Sequence, residues 1–199
     1  MGKLMAGIDF GMCYRAMLGP DSECGDITFM KQYDNQCFFA VIDVLGHGAE
    51  ARKVAVSAEK YLEENYKGNL IDVINGIHQH LKGTRGAVVA LCHLEILTGE
   101  LTYIGIGNIT VRILGLKTSR LTPKGGIVGY KITTPRSINL KLYQDDIVLM
   151  YSDGIKEHFD IVECAALLKE EAQDIAYGIL KQFGKKNDDA SCIAIKYLS

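Results

Sequence analysis

A layered α+β sandwich, with helices packed outside antiparallel strands, is the fold class this chain predicts. Three observations carry it. Short apolar or alternating runs come in blocks rather than singly between helices, helical periodicity is confined to two regions, and the turns in the middle of the chain are short enough to join antiparallel neighbours. Alternating βαβ units would need a helix after nearly every strand.

In order, residues 6–10, 26–30 and 37–42 read as strands, being apolar or alternating and of strand length. Ala51, Val54, Ala55, Ala58, Tyr61 and Leu62 then recur at helical spacing, followed by Leu70, Ile74, Ile77 and Leu81. These stripes predict two consecutive helices parted by Lys67-Gly68-Asn69. A block of strands follows at 87–96, 101–106, 110–116, 137–142 and 147–151. Leu97-Thr98-Gly99-Glu100 signals a hairpin, and the reversal at 105–108 implies local pairing of the next two strands. A mobile loop is expected at 123–135, which is rich in Gly and Thr. A short helix at 161–168 precedes a longer one carrying Ala172, Ile175, Ala176, Ile179, Leu180 and Phe183, with Gly184 placed to stop it. The last strand is 190–197.

Composition narrows the function. With 199 residues, 48% of them hydrophobic, the chain can bury a core without disulfides and reads as one domain, 1–199. A formal charge of −2, with no basic run longer than Lys185-Lys186, gives nucleic acid binding little support. The six cysteines form no close CxxC pair, and several lie in apolar runs, as expected of reduced core thiols in a cytoplasmic protein. The N-terminal residues lack the apolar stretch of a signal peptide, and no run is long enough for a membrane span. Protein or small-molecule partners fit better.

Two apolar strands end in aspartate: 37–42 runs into Asp43, and 147–151 runs through Ser152 into Asp153-Gly154. A third acidic element, Asp188-Asp189, stands just before the last strand. Each has an ordinary reading alone. Asp-Gly is a common turn dipeptide, Asp188-Asp189 resembles a solvated strand start, and Asp43 could cap the following helix. Together, three carboxylates at the mouths of buried strands are costly unless they share a cation. An oxygen-only donor set matches Mg²⁺ or Mn²⁺ better than Zn²⁺. Several carboxylates can hold two such ions, and such a pair activates water against a phosphoryl group. That chemistry is phosphate-ester hydrolysis and needs no nucleophilic Cys or Ser.

In chain order, Cys24-Gly25-Asp26, Asp43-Val44-Leu45-Gly46-His47-Gly48, Arg85-Gly86-Ala87, Gly105-Ile106-Gly107-Asn108, Ser152-Asp153-Gly154 and Asp188-Asp189-Ala190-Ser191 resemble a known family. It is the metal-dependent Ser/Thr protein phosphatases of type 2C (PPM), in their small bacterial branch related to sporulation and stress regulators. The resemblance spans nearly the whole chain. Ser22-Glu23-Cys24-Gly25-Asp26 and Arg85-Gly86-Ala87 look most like the stressosome phosphatases of that branch. The resemblance implies a four-layer α-β-β-α sandwich with two central antiparallel sheets and two Mn²⁺ or Mg²⁺ ions at one end. Asp43 would bridge the ions, the Val44 carbonyl would complete one shell, and Asp153 and Asp188 would hold the ions from the other side. Asp26 would act directly or through water and ranks below these. The implied substrates are phosphorylated STAS-domain stressosome proteins, dephosphorylated at Ser or Thr to reset a stress cascade.

Two departures limit what carries over. Larger relatives place a His two residues after the first Asp, where this chain has Leu45; His47 comes four after and takes no acid role. The phosphate-binding Arg of larger relatives has no secure counterpart, Arg15 lying outside a matching motif. A short flap within 125–135 would leave the site open to a folded substrate. His78 and His80 point to different sides of a helix, His93 and His158 read as ordinary polar positions, Glu63-Glu64 as a solvated helix face, and Asn108 as a turn stabiliser. Two rivals stand beside the phosphatase. A nucleotide-binding anti-sigma-type regulator would need an Asn-bearing helix before the Asp43 motif, and a catalytically silent binding module would have no need of the charge cluster.

Overall fold

Strand parity explains the architecture. In the strand Gln36–Val44, Phe38, Ala40, Ile42 and Val44 pack with the helical stripes, whereas Cys37, Phe39 and Val41 belong to a separate core. A strand buried on both faces must divide its apolar side chains this way, and it sits at the centre of a stack. The computed structural model describes residues 3–5, 7–157 and 159–199; His158 lies outside the described residues.

The elements are β1 (Lys3–Met5), β2 (Ile8–Arg15), β3 (Asp26–Tyr33), β4 (Gln36–Val44), α1 (Gly48–Asn65), α2 (Leu70–His80), β5 (Ala87–Glu95), β6 (Glu100–Ile106), β7 (Thr110–Leu114), β8 (Ser119–Leu121), β9 (Gly126–Ile127), β10 (Lys131–Ile132), β11 (Ile138–Lys141), β12 (Ile147–Tyr151), α3 (Ala172–Phe183) and β13 (Ala190–Tyr197). One sheet runs β11-β6-β5-β4-β3 and the other β1-β2-β13-β12-β7-β8, with antiparallel neighbours throughout. Helices α1 and α2 cover the first sheet, and α3 covers the second. Between the sheets, Phe39, Val41 and Ala90 share a core with Val148, Met150, Ile193 and Ile195. The order of layers is thus α-β-β-α, as the sequence implies.

Local chemistry accounts for the helices. The buried face of α1 is Ala51, Ala55, Ala58 and Leu62, and its three alanines let the helix approach the sheet closely. The Asn69 side chain caps α2 by accepting from the Ile71 N–H at 2.9 Å. Helix α3 ends at Phe183, with Gly184 as its cap residue.

Four expectations need correction. Segment 161–168 forms two 3₁₀ turns, Ile161–Cys164 and Leu167–Lys169, in place of one helix. Strand β2 continues past residue 10 to Arg15, because its later residues pair with β13 over the full length. The reversal at 105–108 does not join paired neighbours, since β6 belongs to one sheet and β7 to the other. Segment 123–135 is not a free loop. It holds the β9–β10 hairpin, and Val128 exchanges both backbone hydrogen bonds with Ala87 at 2.8 and 2.9 Å.

The helix-facing core is tested at Phe38, fully buried and edge-to-face with Phe29 at 5.8 Å between ring centroids. Phe38→Ala is expected to cost about 3–5 kcal/mol in denaturant unfolding; a loss below about 1 kcal/mol would contradict this packing.

Candidate metal centre

The end of a buried strand is where a charged side chain can first escape an apolar layer. Asp43 keeps the parity of Phe39 and Val41, and so faces the gap between the sheets at its edge. In the β3–β4 ladder, Asp26 stands directly opposite it. Two carboxylates side by side on adjacent strands repel one another. Asp153 follows β12 and Asp188 precedes β13, adjacent strands of the facing sheet. Both sheets therefore deliver carboxylates to the same end of the sandwich.

Asp43, Asp153 and Asp188 line one cleft of about 200 Å³, together with Leu45, Gly46, Val88 and Asn108. Its described lining contains no basic side chain. Asp26 lies beneath, with 1% of its surface exposed. The hydroxyls of Ser152 and Ser191 face Asp26 and favour its charged form, yet Oδ2 of Asp26 and Oγ of Ser191 lack partners of hydrogen-bonding geometry. Burial, opposed by those hydroxyls and reinforced by Asp189 and Asp188, raises Asp26 from 3.8 to about 7. Burial and then repulsion from Asp26, Asp153, Asp188 and Asp189 push Asp43 to about 9. Asp188 is raised by burial and by the Asp153 charge.

Neighbours in sequence, Asp188 and Asp189 serve different ends. Asp189 is buried, and its two oxygens accept from the N–H groups of Met17 and Gly25, each at 2.7 Å. It ties the 16–25 loop to the start of β13. Asp188 faces the cleft, where the adjacent Asp189 N–H favours its charged form. Gly154 permits the close approach behind it, since a Cβ there would stand 1.8 Å from the Asp189 carbonyl oxygen.

A divalent ion fits this donor set. The donors are oxygens, their mutual repulsion is uncompensated by the described lining, and a buried carboxylate oxygen is left without a partner. Among the described residues, however, no three His, Cys, Asp or Glu side chains are already gathered around one point. The carboxylates line a common cleft and do not converge.

Asn108 shows what sequence reasoning missed. Its Nδ2 donates to Asp153 Oδ2 at 2.9 Å, so it orients a cleft carboxylate and is more than a turn stabiliser. The signal was the turn at 105–108, misread as local because its two strands enter different sheets. Val44 ends β4 with its side chain in the helix-facing core. His47 occupies the N-cap position of α1, exposed and outside the cleft lining, and its side chain makes no capping hydrogen bond. Arg15 donates to the Lys185 carbonyl. His93 Nε2 hydrogen-bonds the Tyr33 hydroxyl at 2.7 Å, His80 Nε2 bonds Ser57 at 2.9 Å, and His78 Nδ1 accepts from the Gly129 N–H at 3.1 Å. A larger cavity of about 470 Å³ lies between Arg112, Arg120, Glu157 and Phe159. There Arg120 is already paired with Glu157, and Arg112 stacks over Phe159 at 4.9 Å.

The chain matches the Stage II sporulation protein E (SpoIIE) family over residues 33–198. It belongs to that family. No curated protein sequence matches it. A solved chain from work on the bacterial stressosome, as a modular system adapted to control secondary messenger signaling, is 30% identical. The match covers 95% of this chain and 99% of that one, at a TM-score of 0.88. RsbX in complex with magnesium shares the fold at 20% identity, over 99% of this chain and 98% of its own, with a TM-score of 0.86. The PP2C phosphatase domain of SpoIIE from Bacillus subtilis shares it at 16% identity, over 96% of this chain and 63% of that one, with a TM-score of 0.76. The family is one of metal-dependent serine/threonine phosphatases of the PP2C type.

Two predictions follow the charges. Asp26 and Asp43 bind protons more tightly folded than unfolded, so the metal-free protein loses stability as pH rises from about 4 through about 9. Melting temperature in chelator should fall from about pH 5 to about pH 8. Added Mn²⁺ or Mg²⁺ should raise it more at the upper end, and Asp43→Asn should flatten the metal-free decline; a flat chelator profile for the parent would contradict the shifts. Asp189→Ala strands two N–H groups and should cost roughly 2–4 kcal/mol, whereas Asp188→Ala removes a repelling carboxylate and should leave metal-free stability equal or higher. Equal losses in a denaturant titration would overturn this division.

Proposed function

We propose that residues 1–199 form a single phosphatase domain that removes phosphate from Ser or Thr of a protein substrate with Mn²⁺ or Mg²⁺, two ions being held by Asp43, Asp153, Asp188 and the Val44 carbonyl. Asp26 supports that set directly or through water. The observation that carries the reading is the Asp43–Asp26 pair, directly opposed at the cleft end of β4 and β3, with one buried oxygen unpartnered. Bound there, divalent ions would acidify a water and offset charge on the phosphoryl group. Asn108 keeps Asp153 turned toward the cleft. Asp189 holds the 16–25 loop, which leads into Asp26, at a fixed height against β13.

The proposed substrates are phosphorylated STAS-domain proteins of a stressosome, and the setting is the cytoplasm. Similarity to a stressosome-derived chain along nearly the full length of both, and to RsbX, supports this choice. Among the described residues no helix is long and apolar enough to cross a membrane. The anti-sigma reading loses its basis, because strands β3 and β4 lead into the Asp43 motif and no α-helix precedes it among the described residues.

The test is release of phosphate from a phosphorylated STAS-domain protein, with Mn²⁺ and with chelator. Asp43→Asn should lower kcat/KM by about a hundredfold or more, the scale of losing several kcal/mol of charge stabilisation. Activity unchanged by this substitution refutes the site, and activity on unrelated phosphoproteins alone refutes the substrate.

A further inference from the structure

Arg85 is exposed, yet its position is fixed. Thr84 Oγ1 accepts from the Gly86 N–H at 3.1 Å and donates to the Leu81 carbonyl at 2.7 Å, while the Leu45 N–H donates to the Gly86 carbonyl at 3.1 Å. The backbone on either side of Arg85 is therefore held. Its Nη1 donates to the Leu45 carbonyl at 3.1 Å. A Cβ at Gly46 would stand 2.5 Å from that same nitrogen, so the guanidinium lies across Gly46, whose φ of +85° independently favours glycine. Leu45 and Gly46 are both part of the cleft wall.

The charge on this side chain has no obvious structural use. Among the described residues no carboxylate forms an ion pair with Arg85, and the nearby Glu50 is already paired with Lys53 at 2.5 Å. One N–H on a neutral carbonyl leaves most of a five-donor fork unspent. The cleft beside it presents three carboxylates and no cation in its described lining. A dianionic group arriving there meets repulsion unless a donor stands at the mouth.

Resting on the phosphatase reading above, we infer that Arg85 is a substrate-binding residue, whose remaining N–H groups take oxygens of the substrate's phosphoryl group at the mouth of the cleft. The planar fork suits two oxygens of one phosphate, which a lysine ammonium does not match. The Leu45 contact aims the fork, and Gly46 clears its path.

The experiment compares the full chain with Arg85→Ala and Arg85→Lys, loaded with Mn²⁺. Three quantities are read: KM and kcat on the phosphorylated protein, inhibition by inorganic phosphate, and Mn²⁺ affinity by calorimetry. Arg85→Ala should raise KM and the phosphate inhibition constant together by roughly ten- to a hundredfold, the scale of a lost charge-assisted hydrogen bond. Arg85→Lys should recover part of that, and Mn²⁺ affinity should stay within about twofold. Unchanged KM and phosphate inhibition overturn the assignment. So does a fall in Mn²⁺ affinity that accounts for the lost activity, which would make Arg85 a brace for the 45–46 loop only. If the parent shows no metal-dependent turnover, the phosphatase reading fails. Direct titration of phosphate into the Mn²⁺-loaded parent and Arg85→Ala then decides Arg85 separately, equal affinities overturning it.

Discussion

Like charges placed opposite one another at the ends of buried strands are the constraint around which this fold is arranged. Strand β4 is apolar on both faces up to Ile42, so Asp43 marks the first position where a carboxylate can reach the edge of the stack. Its ladder partner is another carboxylate, Asp26. That juxtaposition opposes folding at neutral pH, and the structure around it keeps the opposition from spreading. Asp189, the remaining buried acid of the group, is satisfied by two backbone N–H groups. Asp43, Asp153 and Asp188 are left facing a common cleft, with Asp26 buried beneath it.

Much of this was legible because strand ends are written into sequence as a break in an apolar run. Strand β12 and strand β13 match the runs at 147–151 and 190–197 residue for residue. The α1–α2 pair follows from the 3.6-residue spacing of its apolar stripes. That Asp43, Asp153 and Asp188 line one cleft also follows from strand-terminal position. Pairing partners were harder to read. A turn of Gly107 and Asn108 looks the same whether the next strand returns to its own sheet or crosses to the facing one, because the local backbone chemistry is identical. That ambiguity hid Asn108. Short elements were lost for a related reason: β8, β9 and β10 have two or three residues each, too few to show a period. The helix expected at 161–168 has apolar residues but lacks the length for nucleation to be repaid, and it settles as 3₁₀ turns.

The two-sheet origin of the carboxylates explains why they share a cleft without closing on a point. Packed sheets stand about 10 Å apart, and at this end Asp26 of one sheet faces the Ser152 and Ser191 hydroxyls of the other. Asp43 and Asp26 come from one sheet, and Asp153 and Asp188 from the margins of two strands in the other. Their separation is therefore set by the layer between them, where Phe39, Val41 and Ala90 meet Val148, Met150 and Ile193. Such an interior is close-packed and resists compression. Cations with several oxygen ligands and retained water suit a space of that kind better than a single tightly caged ion does. The apolar layer between the sheets in this sense belongs to the cleft as much as the charges do: it underlies the opening that the carboxylates at its edge line.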